Sequence, residues 1–248
     1  MDAAHTIRDA VARVSSIRAE ANDKPGLNTA LVTIKALQSR RFAGIYSDLL
    51  RSAEYGAAAR FFLEDLYSDK DYSQRDAQFS RIAGALQRLF PKQVIATAVA
   101  LAHLHLLTEE LDWQMASQWA ARDGVLPDDP AAQYVTCWRA VGRDDERKRQ
   151  LEIVLTVGRD MDRLTRAPGL RLMLRMMRTP ARAAGLGSLQ DFLEVGFDTF
   201  AQMTGKGRSA ERFLGTIQSR ESGWIHSLSH GDRLQCVSNL RACMSTPP

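Results

Sequence analysis

Apolar residues recur at steps of three and four along most of the chain. Ile7, Val11, Val14 and Ile17 set the pattern. That step keeps them on one face of a 3.6-residue turn, so an amphipathic helix is predicted over 6–20. A polar break at 22–26 follows. Helices are then predicted at 27–38 and 42–51, separate or as one kinked rod, and at 55–67, with Phe62, Leu63 and Leu66 towards a core. Ser73, with Asp76 three residues on, reads as a variant capping box opening a helix to Phe90. Pro91 falls where a first-turn proline is tolerated, and one long helix is predicted from there to about residue 121.

After a polar turn at 123–130 the helical period resumes at 131–141, 144–164, 170–183, 189–203 and 209–228. Pro168–Gly169 interrupts it, and Gly185–Gly187, Gly205–Gly207 and Gly231 serve as stops. Tyr134–Trp138 and Ile153–Val157 are the best strand candidates, but neither has a hairpin turn or a partner strand nearby. The expected fold is all-α, one domain of about nine to eleven helices, with a weak sub-boundary near 124–130.

Composition narrows the class. The 248 residues are 45% hydrophobic and 25% charged, the balance of a globular chain, which excludes collagen-like, disordered and disulfide-scaffold readings. The charge of +4 is too small to specify a nucleic-acid partner. Of the 33 basic residues 27 are Arg, which suits oxyanion recognition but also follows from codon usage alone. Cys137, Cys236 and Cys243 form no CxxC and match no zinc spacing, so free thiols and a cytoplasmic location are expected. Residues 1–20 lack the apolar segment of a secretory signal. The low-charge run at 93–107 falls short of the roughly 20 residues a membrane helix needs, so no span is expected.

Four groups of residues are candidates for chemistry. His103 and His105 lie two apart on an apolar helix, about 200° around the axis, so they cannot share one metal. Either could serve alone as an axial haem ligand, although a core or interface histidine is the commoner explanation. His226 and His230 share a helix face at i, i+4, as metal-binding pairs do, but the only third ligands in view are Glu221 and Cys236. A helix C-terminus ended by Gly231 explains the pair more simply.

The third group is basic. Arg171, Arg175, Arg178 and Arg182 recur at i, i+4, i+7 and i+11 within 163–190, a stretch without Asp or Glu, with Leu170, Met173, Leu174 and Met177 on a neighbouring face. Such a stripe docks a partner or pairs internally with acids such as Glu109, Glu110 and Asp112. Aromatic interleaving is missing, which argues against single-stranded nucleic acid. No GxSxG, Walker or dinucleotide signature occurs, and Asp65, Asp69, Asp71 and Asp76 lack the EF-hand glycine and glutamate.

The fourth group carries a resemblance. The run 61–76, Phe-Phe-Leu-Glu-Asp-Leu-Tyr followed by Ser-Asp-Lys-Asp-Tyr-Ser-Gln-Arg-Asp, resembles the hallmark of the bacterial FFLEELY motif proteins, with Asp65 for the second Glu. The likeness extends loosely to Leu104–Asp112 and covers about a third of the chain. It implies a bacterial, intracellular protein and no particular activity. Physically the motif reads as a helix corner, with Phe61, Phe62 and Tyr67 packing and Arg60, Arg75 and Asp76 locking it through charge-assisted hydrogen bonds.

The expectation that ranks first is a non-enzymatic helical protein acting through a protein partner or a second copy of itself, by way of the Arg stripe. A small-molecule or haem binder with a pocket between helices comes second. A metalloenzyme using His226 and His230 comes last.

Overall fold

The computed structural model describes residues 2–63, 72–122, 129–204 and 208–245, and all regular structure among them is helical. In chain order the helices are α1 (Ala3–Asp23), α2 (Leu27–Ile45), α3 (Ser47–Leu50), α4 (Gly56–Phe61), α5 (Ser73–Leu89), α6 (Lys92–Ala120) and α7 (Pro130–Val141). They continue as α8 (Asp144–Thr165), α9 (Leu170–Met176), α10 (Arg178–Ala183), α11 (Gly187–Thr204), α12 (Ser209–His230) and α13 (Arg233–Ser245). The chain is all-α, in somewhat more pieces than expected because four of the helices are short.

Local chemistry explains the differences. Both strand candidates lie inside helices, α7 and α8, whose flanking residues carry the 3.6 period through them. The segments predicted at 27–38 and 42–51 are mostly one helix, α2, with only 47–50 set apart as α3. The backbone bonds of α5 begin one residue before Ser73, the cap expected from the sequence. The Asp76 N–H donates to Tyr72 O at 2.9 Å, so Tyr72 is the N-cap and Ser73 the first helical residue. Pro91 is likewise a cap, its carbonyl accepting from the Ile95 N–H at 3.2 Å. The 170–183 helix is two, opened by Gly169 at φ 79 and divided at Met177. That division puts Pro180 in the first turn of α10, where no intrahelical N–H is required.

With 29 residues, α6 is long and apolar enough to cross a membrane by length and composition, unlike the shorter run read from sequence. Within that apolar window 33% is buried in the protein.

The chain divides into two compact units. The first comprises Met1–Ser15, Lys70–Leu106 and Ile153–Gly215. Ala4, Ile7 and Ala10 of α1 pack there with Ala83 of α5 and with Ala98 and Ala102 of α6, small side chains that let helices approach closely. The Leu189 N–H at the start of α11 donates to the buried Gln78 Oε1 at 2.9 Å, tying α11 to α5.

The second unit comprises Ser16–Asp69, Leu107–Glu152 and Thr216–Pro248. Leu27, Leu31, Ile34 and Leu37 of α2 meet Met115 of α6, Tyr134, Val135 and Trp138 of α7, Leu228 of α12, and Val237 and Leu240 of α13. Each such side chain contributes about 1.5–3 kcal/mol by leaving water. A Cβ added to Gly44 would stand 2.0 Å from the Cys243 carbonyl oxygen, so glycine is what allows α2 and α13 to touch there. Residues 107–152 all belong to this unit; of the turn at 123–130, residues 123–128 lie outside the described ones.

Candidate functional site

In the first unit the basic stripe is largely paired, though not with the acids expected. Arg171 Nη2 lies 2.8 Å from Asp198 Oδ1, and Arg182 Nη2 lies 3.2 Å from Asp191 Oδ1. Arg178 clasps Glu194, its Nε donating at 2.7 Å to each carboxylate oxygen. Hydrogen bonds from Arg178 hold the Glu194 carboxyl below its ordinary range. Positions 191, 194 and 198 share one face of α11 at i, i+3, i+7, and that face neutralises the stripe.

Arg175 has no ion pair among the described residues. No residue of α9 is buried. Leu170, Met173, Leu174 and Met177 are half-buried, whereas Leu172 and Met176 stay 64% and 67% exposed, with exposed Val195 on α11.

The motif corner is divided. Phe61 and Phe62 are buried edge to face in the second unit, their centroids 6.3 Å apart, and Arg60 Nη1 donates to Leu50 O at 3.2 Å. Tyr67 lies outside the described residues. In the first unit Arg75 stacks on the rings of Tyr72 and Phe192, 4.0 and 4.4 Å from their centroids, which gives it a packing role. Buried Asp76 meets His105 Nε2 at 2.9 Å. His103, on the same helix, is exposed. The two histidines thus differ in role: one is engaged by a carboxylate, the other faces out.

His226 and His230 are both exposed in the second unit, their ring centroids 5.6 Å apart. His230 Nε2 lies 2.9 Å from Asp144 Oδ2. Neither suggested third ligand is available: Glu221 is held by Arg41 and Tyr46, and the Cys236 thiol donates to Ser227 O at 2.9 Å. No group of three or more His, Cys, Asp or Glu able to hold a metal occurs among the described residues.

Asp144, Ser229 and His230 line a surface notch of about 400 Å³ with Arg139, Arg143 and Glu146. Its polar groups satisfy one another. The Ser229 hydroxyl donates to Asp144 Oδ1 at 2.7 Å, Arg143 pairs with Glu146 at 2.9 Å, and Arg139 donates to the carbonyls of Leu228 in α12 and of Gly231 just after it. Because the serine serves the aspartate and not the histidine, no nucleophile–base pair is formed.

The second unit also buries an ionic network that sequence reading left unassigned. Lys35 Nζ lies 2.7 Å from Glu109 Oε1 and 3.6 Å from Asp112 Oδ2, and Gln38 Nε2 donates to Asp112 Oδ1 at 3.0 Å. Arg18 reaches Glu109 at 3.5 Å. Burial opposes the charge on Lys35, but Asp112 and Glu109 outweigh it and hold the ammonium above its ordinary value. Asp112 is pushed up by burial in spite of Lys35. A second cluster centres on Arg41, whose Nη1 and Nη2 donate to the two Glu221 oxygens at 3.2 and 3.1 Å, while the Tyr46 hydroxyl donates to Glu221 Oε1 at 2.9 Å.

Arg147 of α8 completes the network and differs from the rest. It is 4% exposed, and its guanidinium lies over the Trp138 ring, 3.4 Å from the centroid. It has no ion pair among the described residues. Its Nε and Nη2, the Nε of Arg41 and the Tyr134 hydroxyl are buried without a hydrogen-bond partner. Gln38 approaches the Tyr134 hydroxyl without completing a bond of normal geometry. Burial lowers Arg147 to about 10, with Arg41 adding to the fall and Tyr134, Asp112 and Asp144 resisting it. Burial also raises the Tyr134 phenol. One signal in the sequence pointed here: Lys35, Gln38 and Arg41 alternate with the core residues Ile34 and Leu37 on α2, so they flank a buried stripe.

A family model for a domain of unknown function, DUF8198, matches residues 17–234, and the chain belongs to that family. No curated protein and no solved structure matches it.

Proposed function

We propose that this member of the DUF8198 family is a non-enzymatic cytoplasmic protein that works by docking a protein partner on the α9–α10 face of its first unit. The observation that carries this reading is the outward pair Leu172 and Met176 on a helix with no buried residue. Contiguous exposed apolar side chains cost free energy in water and mark contact surfaces. Arg175 lies between them in sequence without an ion pair, and its neighbours' pairs with α11 are exposed enough for an incoming carboxylate to compete. The complementary partner is a segment with apolar side chains beside an acid.

The test places a photo-crosslinking residue at position 176 in the native host and compares the adducts of otherwise wild-type protein with those of L172S and R175E. A discrete adduct lost in both variants, with unchanged helical signal and melting, is expected. An adduct mass equal to a second copy would identify a homo-oligomer. Absence of any adduct, or adducts indifferent to both substitutions, refutes the docking role. A second reading, ligand binding between helices, is favoured by the unpartnered donors around Arg147.

A further inference from the structure

We propose that Arg147, with Tyr134 and Arg41 beside it, forms an internal binding site for a small oxyanion of carboxylate or phosphate type. The proposal goes beyond the docking reading and rests on a different unit of the fold.

Arg147 Nε–H and one Nη2–H run parallel along one edge of the guanidinium, and those two nitrogens are the ones without partners. That edge is the fork that receives two oxygens of a carboxylate or phosphate side by side. The Tyr134 hydroxyl and Arg41 Nε add further donors, and all three side chains act electrostatically on one another. Acceptors close by are already engaged: Asp112 receives Gln38 and lies near Lys35, and Glu221 receives both Nη groups of Arg41 and the Tyr46 hydroxyl.

Asp112 and Asp144 act on Arg147 without pairing with it, and a buried guanidinium whose donors stay unmatched is costly, the kind of place that marks an ion or water. Trp138 supplies a flat wall under the guanidinium, which fixes the plane of the fork. Arg41, by contrast, uses its two Nη groups on Glu221, so Arg147 is the primary anchor and Arg41 a supporting charge. The unpartnered atoms that Arg147, Arg41 and Tyr134 themselves carry are donors, which sets the chemical class.

The test uses the full chain and three probes, inorganic phosphate, sulfate and acetate, each titrated at an ionic strength fixed with sodium chloride and equilibrated overnight. Unfolding midpoint and tryptophan emission are read together, because the guanidinium covers Trp138. A saturable rise in midpoint with a change in emission is expected for at least one probe. Acetate acting alone assigns a carboxylate, and phosphate or sulfate acting alone a tetrahedral oxyanion. Arg147→Met should abolish the response, and Tyr134→Phe, which removes one oxygen, should weaken apparent affinity about tenfold. Both variants are expected to fold, since an apolar side chain of similar length replaces an unpaired buried charge without penalty. A midpoint indifferent to all three probes, or an equal rise in wild type and Arg147→Met, overturns the proposal. L172S should leave the response intact, so failure of the docking reading and failure of this one are separable.

Discussion

Replacing Glu221 with Gln tests whether the second unit depends on its buried charges as described. Glu221 is the acceptor for both Nη groups of Arg41 and for the Tyr46 hydroxyl. The amide offers one acceptor oxygen and no charge, so the substitution leaves the guanidinium uncompensated. Removing one member of a buried pair costs about 3–5 kcal/mol. The side chains here are 12% and 17% exposed, which places the cost near the low end, at about 3 kcal/mol. For a chain of this length that corresponds to a fall in Tm of about 6–12 °C.

The double variant Arg41→Met, Glu221→Leu removes both charges and should lose no more than about 1 kcal/mol, the loss falling on Tyr46. Scanning calorimetry and urea unfolding of wild type, Arg41→Met, Glu221→Leu and the double variant complete the cycle, and a coupling of about 2 kcal/mol or more is expected. Single costs that simply add, or a Glu221→Gln loss under about 1 kcal/mol, would show that the pair is solvated and the reasoning wrong.

Two further outcomes follow from geometry and charge. Gly44→Ala should destabilise by more than about 3 kcal/mol, beyond ordinary overpacking, because the new Cβ meets the Cys243 carbonyl oxygen and backbone must move. Gly158→Ala should cost less because its Cβ meets only the flexible end of Leu214, and equal losses in urea unfolding would contradict this. Glu194 has its folded-state pKa depressed by Arg178, so its contribution to stability is complete above its ordinary value of 4.5 and disappears as pH falls through the lowered value. The stability gap between wild type and Glu194→Gln should therefore narrow as pH falls below 4.5 and close once pH has passed the lowered value, and a gap independent of pH would contradict the pairing.

The helices were legible because their signals are local. The three- and four-residue steps of Ile7, Val11, Val14 and Ile17, and the breaks at Gly26 and Gly169, need no knowledge of distant residues. The α9–α10 division was less so: Pro180 announces a disturbance but does not say which side of it the helix yields. The ionic network was hidden for a different reason. Lys35, Arg41, Arg147 and Glu221 each look like an ordinary solvent-facing charge on an amphipathic helix, and the partners of Lys35 and Arg41 lie 74 and 180 residues away. Burial of such a charge is a property of three or four helices at once. The partners of the Arg stripe were nearer to hand, since 191, 194 and 198 already share a helix face.

Each compact unit is assembled from three separate stretches of chain, and α1, α6, α8 and α12 pass from one unit into the other. For a chain made from its N-terminus onward, this arrangement delays closure. The core around Leu31 and Ile34 waits for Val237 and Leu240, some two hundred residues later. During synthesis α2 presents its apolar stripe unmatched until α6 and α7 emerge, and the stripe is fully covered only when α13 follows. The first unit has all its residues only once Gly215 is made, and the second only with the last helix, so neither core can close early in translation.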